Sequence, residues 1–118
     1  MFYRAIRGAI TVKDNTVESI LNETSSLLKA IMDENQIGPD DLVSIFFTTT
    51  PDLTAAFPAK AARRLGLSDT PLMCAQELDV KGALPRCIRV MIHAYSTKSK
   101  QDIKHVYLNE AVKLRVDV

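Results

Sequence analysis

The sequence predicts an α+β domain in which one long helix and one short helix lie against a mixed five-stranded sheet. Three observations carry this: one extended 3,4-spaced apolar pattern, several short runs rich in β-branched and aromatic residues, and Gly or Pro between them. At 118 residues, 47% hydrophobic and 25% charged, the chain is expected to form a single domain over 1–118.

The first element, "FYRAIRGAITV", has strand composition. Its alternation puts Tyr3, Ala5, Arg7 and Ala9 on one face and Phe2, Arg4, Ile6 and Gly8 on the other. "NTVESILNETSSLLKAIMDENQIGP" is the long helix: Val17, Ile20, Leu21, Thr24, Leu27, Leu28 and Ile31 follow the helical spacing. Asn15 with Glu18 resembles a capping box, and Gly38-Pro39 is the expected stop. "DLVSIFFTTT" reads as the second strand. "PDLTAAFPAKAARRLGL" then offers a short helix entered at Pro58 and closed by Gly66, with Lys60, Arg63 and Arg64 on a basic face. "TPLMCA", "RCIRVMIHAY" and "IKHVYL" supply three more strands, with "QELDVKGALP" a loop or single turn.

The fourth strand holds an anomaly. Ile88, Val90 and Ile92 line one side, while Arg89 sits between Cys87 and Met91 on the other, in a segment that reads as buried. A guanidinium keeps its charge at ordinary pH, so an anion or several acceptors should meet it. Arg7, Arg63 and Arg115 also fall in structured positions, and Glu77 supplies a carboxylate among them. Arginine's planar fork matches carboxylates, so convergence would suit a compact ligand with more than one carboxylate. Ion pairs within the chain or between subunits would serve equally well.

Other chemistries are poorly supported. Fifteen basic against fourteen acidic residues, a formal charge of +1, give no field that argues for nucleic acid or an acidic membrane surface. Cys74 and Cys87 have no Cys-x-x-Cys or ligand-like spacing, so neither a disulfide framework nor a metal site is expected. The only histidines, His93 and His105, read as structural; no Gly-x-Ser-x-Gly turn or Gly-rich phosphate loop occurs. With no signal peptide and no apolar run of spanning length, a cytoplasmic protein is expected.

The segments "RAIRGAITV", "TTTPDLTAAFPAKAAR", "CAQELDV", "CIRVMIH" and "HVYLNEAVKLR" resemble, in order and over nearly the whole chain, the monofunctional trimeric α/β class of chorismate mutase. The resemblance implies a trimeric pseudo-α/β barrel with active sites between neighbours, acting on chorismate without cofactor or metal. It implies that Arg7, Cys74, Glu77, Arg89 and Tyr107 come from one subunit, as catalytic residues. Phe57, Ala59, Lys60, Arg63, Leu72 and Met73 would be substrate contacts from the adjacent one, and Leu114 and Arg115 further contacts. Taken one at a time, Phe57 also suits a staple for the short helix, Cys74 a small buried hydrophobe and Lys60 a solvated helix charge. Family members can continue in a mobile tail that helps cover the site; with the sequence stopping at Val118, Arg115 is the last implied contact. The alternatives to this enzyme are a non-catalytic trimeric binding module for a small dicarboxylate, or an enzyme acting on another carboxylated metabolite.

Overall fold

The computed structural model describes residues 1–117. Its elements are β1 (Phe2–Thr11), α1 (Val17–Asn35), β2 (Leu42–Thr49), α2 (Ala59–Arg64), β3 (Leu72–Gln76), β4 (Cys87–Ser96) and β5 (Val106–Leu108). Single 3-10 turns at Pro39–Asp41 and Lys100–Asp102, and a longer 3-10 segment at Asn109–Asp117, complete the chain. The expected mixed five-stranded sheet is present, in the order β3-β2-β4-β1-β5. β4 pairs antiparallel with both β1 and β2, whereas β3 and β5 join the edges in parallel.

The helix-facing side of the sheet carries Ile6 and Ile10 of β1, Ile45 and Phe47 of β2, and Ile88, Val90 and Ile92 of β4, all buried. Helix α1 meets them with Ile20, Leu21, Thr24, Leu27, Leu28 and Ile31, the stripe expected from the spacing. Val17 is the exception: as the first helical residue it remains exposed. Gly8 lets α1 approach β1 closely, since a Cβ there would stand 2.5 Å from Ile31 Cδ1 and 3.1 Å from the Val106 carbonyl oxygen. Among described residues, no buried polar side-chain atom lacks a partner.

The helix ends differ from expectation. The Thr16 hydroxyl, not Asn15, caps α1 by accepting from the Ser19 amide at 3.1 Å. Asn15 is engaged elsewhere: its side-chain oxygen accepts from the amides of Thr54 and Ala55, pinning the loop that leads to α2. The helix stops at Asn35, with Gln36 in the left-handed region, before Gly38-Pro39 is reached. The buried Asn35 side chain donates to the Lys104 carbonyl and accepts from the Lys104 amide, tying the end of α1 to the approach to β5. β5 is shorter than "IKHVYL" because the chain reaches ladder geometry only at Val106; the Arg7 amide instead donates to His105 Nδ1 at 2.9 Å.

Helix α2 is entered at Pro58, whose φ of −57° and ψ of −30° are already helical, and is followed by Gly66 at φ +84°. Ala59, Ala61 and Ala62 are buried, which leaves Lys60, Arg63 and Arg64 exposed on its outer face. The opposite face of the sheet has no helix upon it. One end is covered by Leu84 and by Ala111 and Leu114 of the last 3-10 segment, packed around Ala9 and Cys87. At the other end Tyr3, Phe46, Met73 and Tyr95 are exposed, with Tyr3 stacked on His93 at 6.0 Å between ring centres.

Candidate active site

Strand register assembles a cleft on that open face. Thr48 of β2, Arg89 of β4, Ala9 of β1 and Tyr107 of β5 are successive cross-strand partners and form one row across the sheet. The adjacent row places Phe46, Met91 and Arg7 alongside. Ala9, between Arg89 and Tyr107 in that row, is itself covered and forms part of the floor. The resulting cleft, about 260 Å³, brings together Arg7, Glu77, Arg89, Tyr107 and Leu114.

Glu77 follows the last residue of β3. Its amide extends the ladder by donating to the Thr49 carbonyl at 2.8 Å, and the Thr48 hydroxyl donates to Oε2 at 2.6 Å. Arg89 Nε stands 3.6 Å from the same oxygen. The Arg89 side chain is 46% exposed, so the guanidinium stays in contact with water although the helix side of its strand is buried. The expectation of a buried arginine is corrected accordingly; a carboxylate does meet it, through a long and partly screened ion pair.

Cys87 lies on the same face, two residues before Arg89, and is buried. Burial pushes its thiol pKa up; Arg89 opposes this, and Glu77 and Asp52 add to the rise. It remains a neutral thiol at neutral pH.

Other expected contacts lie away from this cleft in the single chain. Cys74 and Leu72 project to the helix side of β3 and pack against the main core, whereas Met73 faces the open side and is exposed. Cys74 is thus separated from Glu77 by the sheet itself, and its side chain fills the role of a small hydrophobe. Ala59 is buried within the α2 contact, Phe57 is exposed in the loop before it, and Lys60 and Arg63 point outward from α2. Arg115 lines a separate cavity with Glu34, Lys104 and His105. His93 lies near the Ser44 hydroxyl, its Nδ1 3.3 Å from Oγ, while His105 accepts from Arg7. Both histidines therefore have structural contacts, and neither lines the cleft.

Sequence reasoning missed Thr48, Phe46 and Met91. Alternation in "SIFFTTT" put Phe46 and Thr48 on one face, but only the register with β4 set them beside Arg89. Among described residues no group of three His, Cys, Asp or Glu side chains could hold a metal ion, and no helix is long and apolar enough to cross a membrane.

The profile of the chorismate mutase type I family matches residues 3–118. The chain is similar to chorismate mutase AroH of Bacillus subtilis (strain 168), 47% identical over all of this chain and 94% of that protein. It is likewise similar to chorismate mutase AroH of Thermus thermophilus, 48% identical over 98% of this chain and 95% of that one. A solved chorismate mutase from Clostridium thermocellum superposes with a TM-score of 0.92 at 55% identity, covering 93% of this chain and 98% of its own. A full-length match, an identity near one half and a backbone that superposes closely lead to one conclusion: the chain belongs to the type I chorismate mutase family.

Proposed function

We propose that this chain catalyses the unimolecular rearrangement of chorismate to prephenate in the cleft around Arg89. The observation that carries the reading is the meeting of Arg7, Glu77 and Arg89 in one cleft of a chain from this family. In the reaction the ether C–O bond breaks as a new C–C bond forms within the same molecule, so no proton, nucleophile or leaving group is exchanged with the protein. Negative charge gathers on the ether oxygen as the bond stretches. The Arg89 guanidinium, oriented by its strand, stabilises that charge more in the transition state than in the substrate. Arg7 and Tyr107 hold the side-chain carboxylate, and Glu77 accepts from the ring hydroxyl. Holding both ends of a flexible substrate also selects its compact reactive conformer.

The site so described is open on one side, and the reading completes it with a neighbouring copy in a closed trimer. Two features support this. The uncovered aromatic end of the sheet is a large exposed apolar patch. The side chains of Phe57, Lys60 and Arg63 also stand exposed. A second subunit would bring these three and Met73 to the cleft; Ala59 and Leu72 would support from behind. Cys74 has no side-chain role in this reading.

The test is to add purified protein to chorismate and follow the loss of its absorbance, identifying the product, an isomer of the same mass, by its chromatographic separation from chorismate and by acid conversion. Enzyme-dependent formation of prephenate is expected. Undiminished chorismate in the presence of folded protein would overturn the proposal.

A further inference from the structure

We propose that Thr48 is a positioning residue for this reaction: its hydroxyl fixes the Glu77 carboxylate so that one oxygen faces the substrate and the Arg89 charge is left available. The inference rests on the activity proposed above. Glu77 and Arg89 are of opposite sign and partly exposed. An arginine and a carboxylate with nothing between them tend to close into a bidentate pair, with two parallel N–H···O bonds. Such a pair would consume the donors aimed at the ether oxygen and neutralise the charge that stabilises it.

The geometry holds that collapse off. Thr48 Oγ1 donates to Oε2 at 2.6 Å, a length typical of a hydroxyl bound to an ionised carboxylate. The guanidinium approaches the same oxygen through Nε at 3.6 Å, longer than a hydrogen bond, so the two charges are not closed into a hydrogen-bonded pair there. Oε1 then remains for a substrate hydroxyl. The restraint is stiff for two reasons. Thr48 is β-branched, so its hydroxyl direction is limited by few rotamers. The next residue, Thr49, holds the Glu77 amide through its carbonyl at 2.8 Å. Backbone and carboxylate of Glu77 are thus both held by consecutive residues of β2, the strand between β3 and β4. Thr48 is also the direct cross-strand partner of Arg89, so one residue sets the spacing of both charges. The other threonines of "TTT" serve differently: Thr50 accepts from the Cys87 amide at 3.0 Å at the end of the strand.

The experiment measures kcat and KM for Thr48→Val, Thr48→Ala and Thr48→Ser, alone and combined with Glu77→Gln. Thr48→Val keeps the branched shape and removes the donor; Thr48→Ala does so without the branch, should valine impair folding. Both should lower kcat by roughly 10- to 50-fold, from loss of a hydrogen bond to a charged group, with KM changed less than about threefold. Thr48→Ser should return kcat to within about threefold of the parent, because it restores the hydroxyl. In the Glu77→Gln background, Thr48→Val should lower kcat further by less than about twofold, because the carboxylate through which it acts is gone. The inference is overturned if valine and alanine leave kcat unchanged, if the two losses multiply independently, or if serine is as impaired as valine with an unaltered unfolding midpoint. A parent without activity on chorismate would overturn the proposed function instead; an active parent indifferent to Thr48 overturns only the positioning role.

Discussion

Arg89 shows how a residue is read on one level and explained on another. Its charge on an apolar-looking strand was visible in the sequence, as was the need for an acceptor. That the acceptor is Glu77, held loosely at 3.6 Å, depended on the end of β3 reaching the row of β4. If the guanidinium stabilises the breaking ether bond, replacing it by its neutral urea analogue should lower kcat by about 10²–10³-fold while KM changes little, as for removal of one oriented oxyanion donor. Arg89→Lys should recover part of the rate, because a point charge does not reproduce the fork. Normal turnover by the neutral analogue, measured in initial-rate assays, would reassign Arg89 to a structural ion pair. Arg7 and Glu77 stood out by charge and position as well as through the resemblance, and Tyr107 through the resemblance alone; Thr48 did not, since a hydroxyl in a strand carries no signal until its cross-strand neighbour is known.

At the scale of elements, periodicity gave α1 and the inner faces of the strands, because burial on one side imposes a period that survives in sequence. It failed at the ends, where distant partners decide. Asn15 has cap chemistry, yet the Thr54 and Ala55 amides claim its oxygen and Thr16 caps instead. β5 is cut short because a histidine side chain replaces a strand carbonyl opposite Arg7. Helix α1 lies close on β1 at Gly8. Gly8→Ala should push Ile31 and Leu27 outward and destabilise the fold by about 1–3 kcal/mol, as overpacking does. Arg7, next in the strand, should shift with it, so kcat is expected to fall as well. A thermal midpoint equal to the parent's would show that α1 yields without cost.

For the whole molecule, the sheet order β3-β2-β4-β1-β5 lay beyond the sequence, because nothing in the strands' composition specifies which edges pair. The split of the implied contacts between the cleft and the exterior of α2 is likewise a property of the folded chain. It gives the proposed trimer a direct test. Light scattering should give three times the 13.1 kDa chain mass. Mixing inactive Arg63→Ala and Arg89→Ala proteins should restore activity, since about a quarter of the clefts in randomly exchanged closed trimers draw both intact residues from different subunits. Full activity from a monomer, or no recovery after proven exchange, would remove the shared site.

The central pairing of β1 with β4 also has a meaning in time. Phe2 is matched with Ser96 and Gly8 with Val106, so the first strand made must wait for nearly the last one. On a ribosome adding about 5–20 residues per second, that interval lasts several seconds, during which β1 has only α1 to shelter its apolar side. Such distant pairings are slow to close because the loop entropy is lost before the ladder forms. Arg7 and Arg89 ride on those two strands. A nascent chain halted before residue 87 therefore carries the α1 segment and five of its seven arginines, Arg7 among them, but neither Arg89 nor the cleft around it: that cleft arrives all at once, with the closing of the sheet.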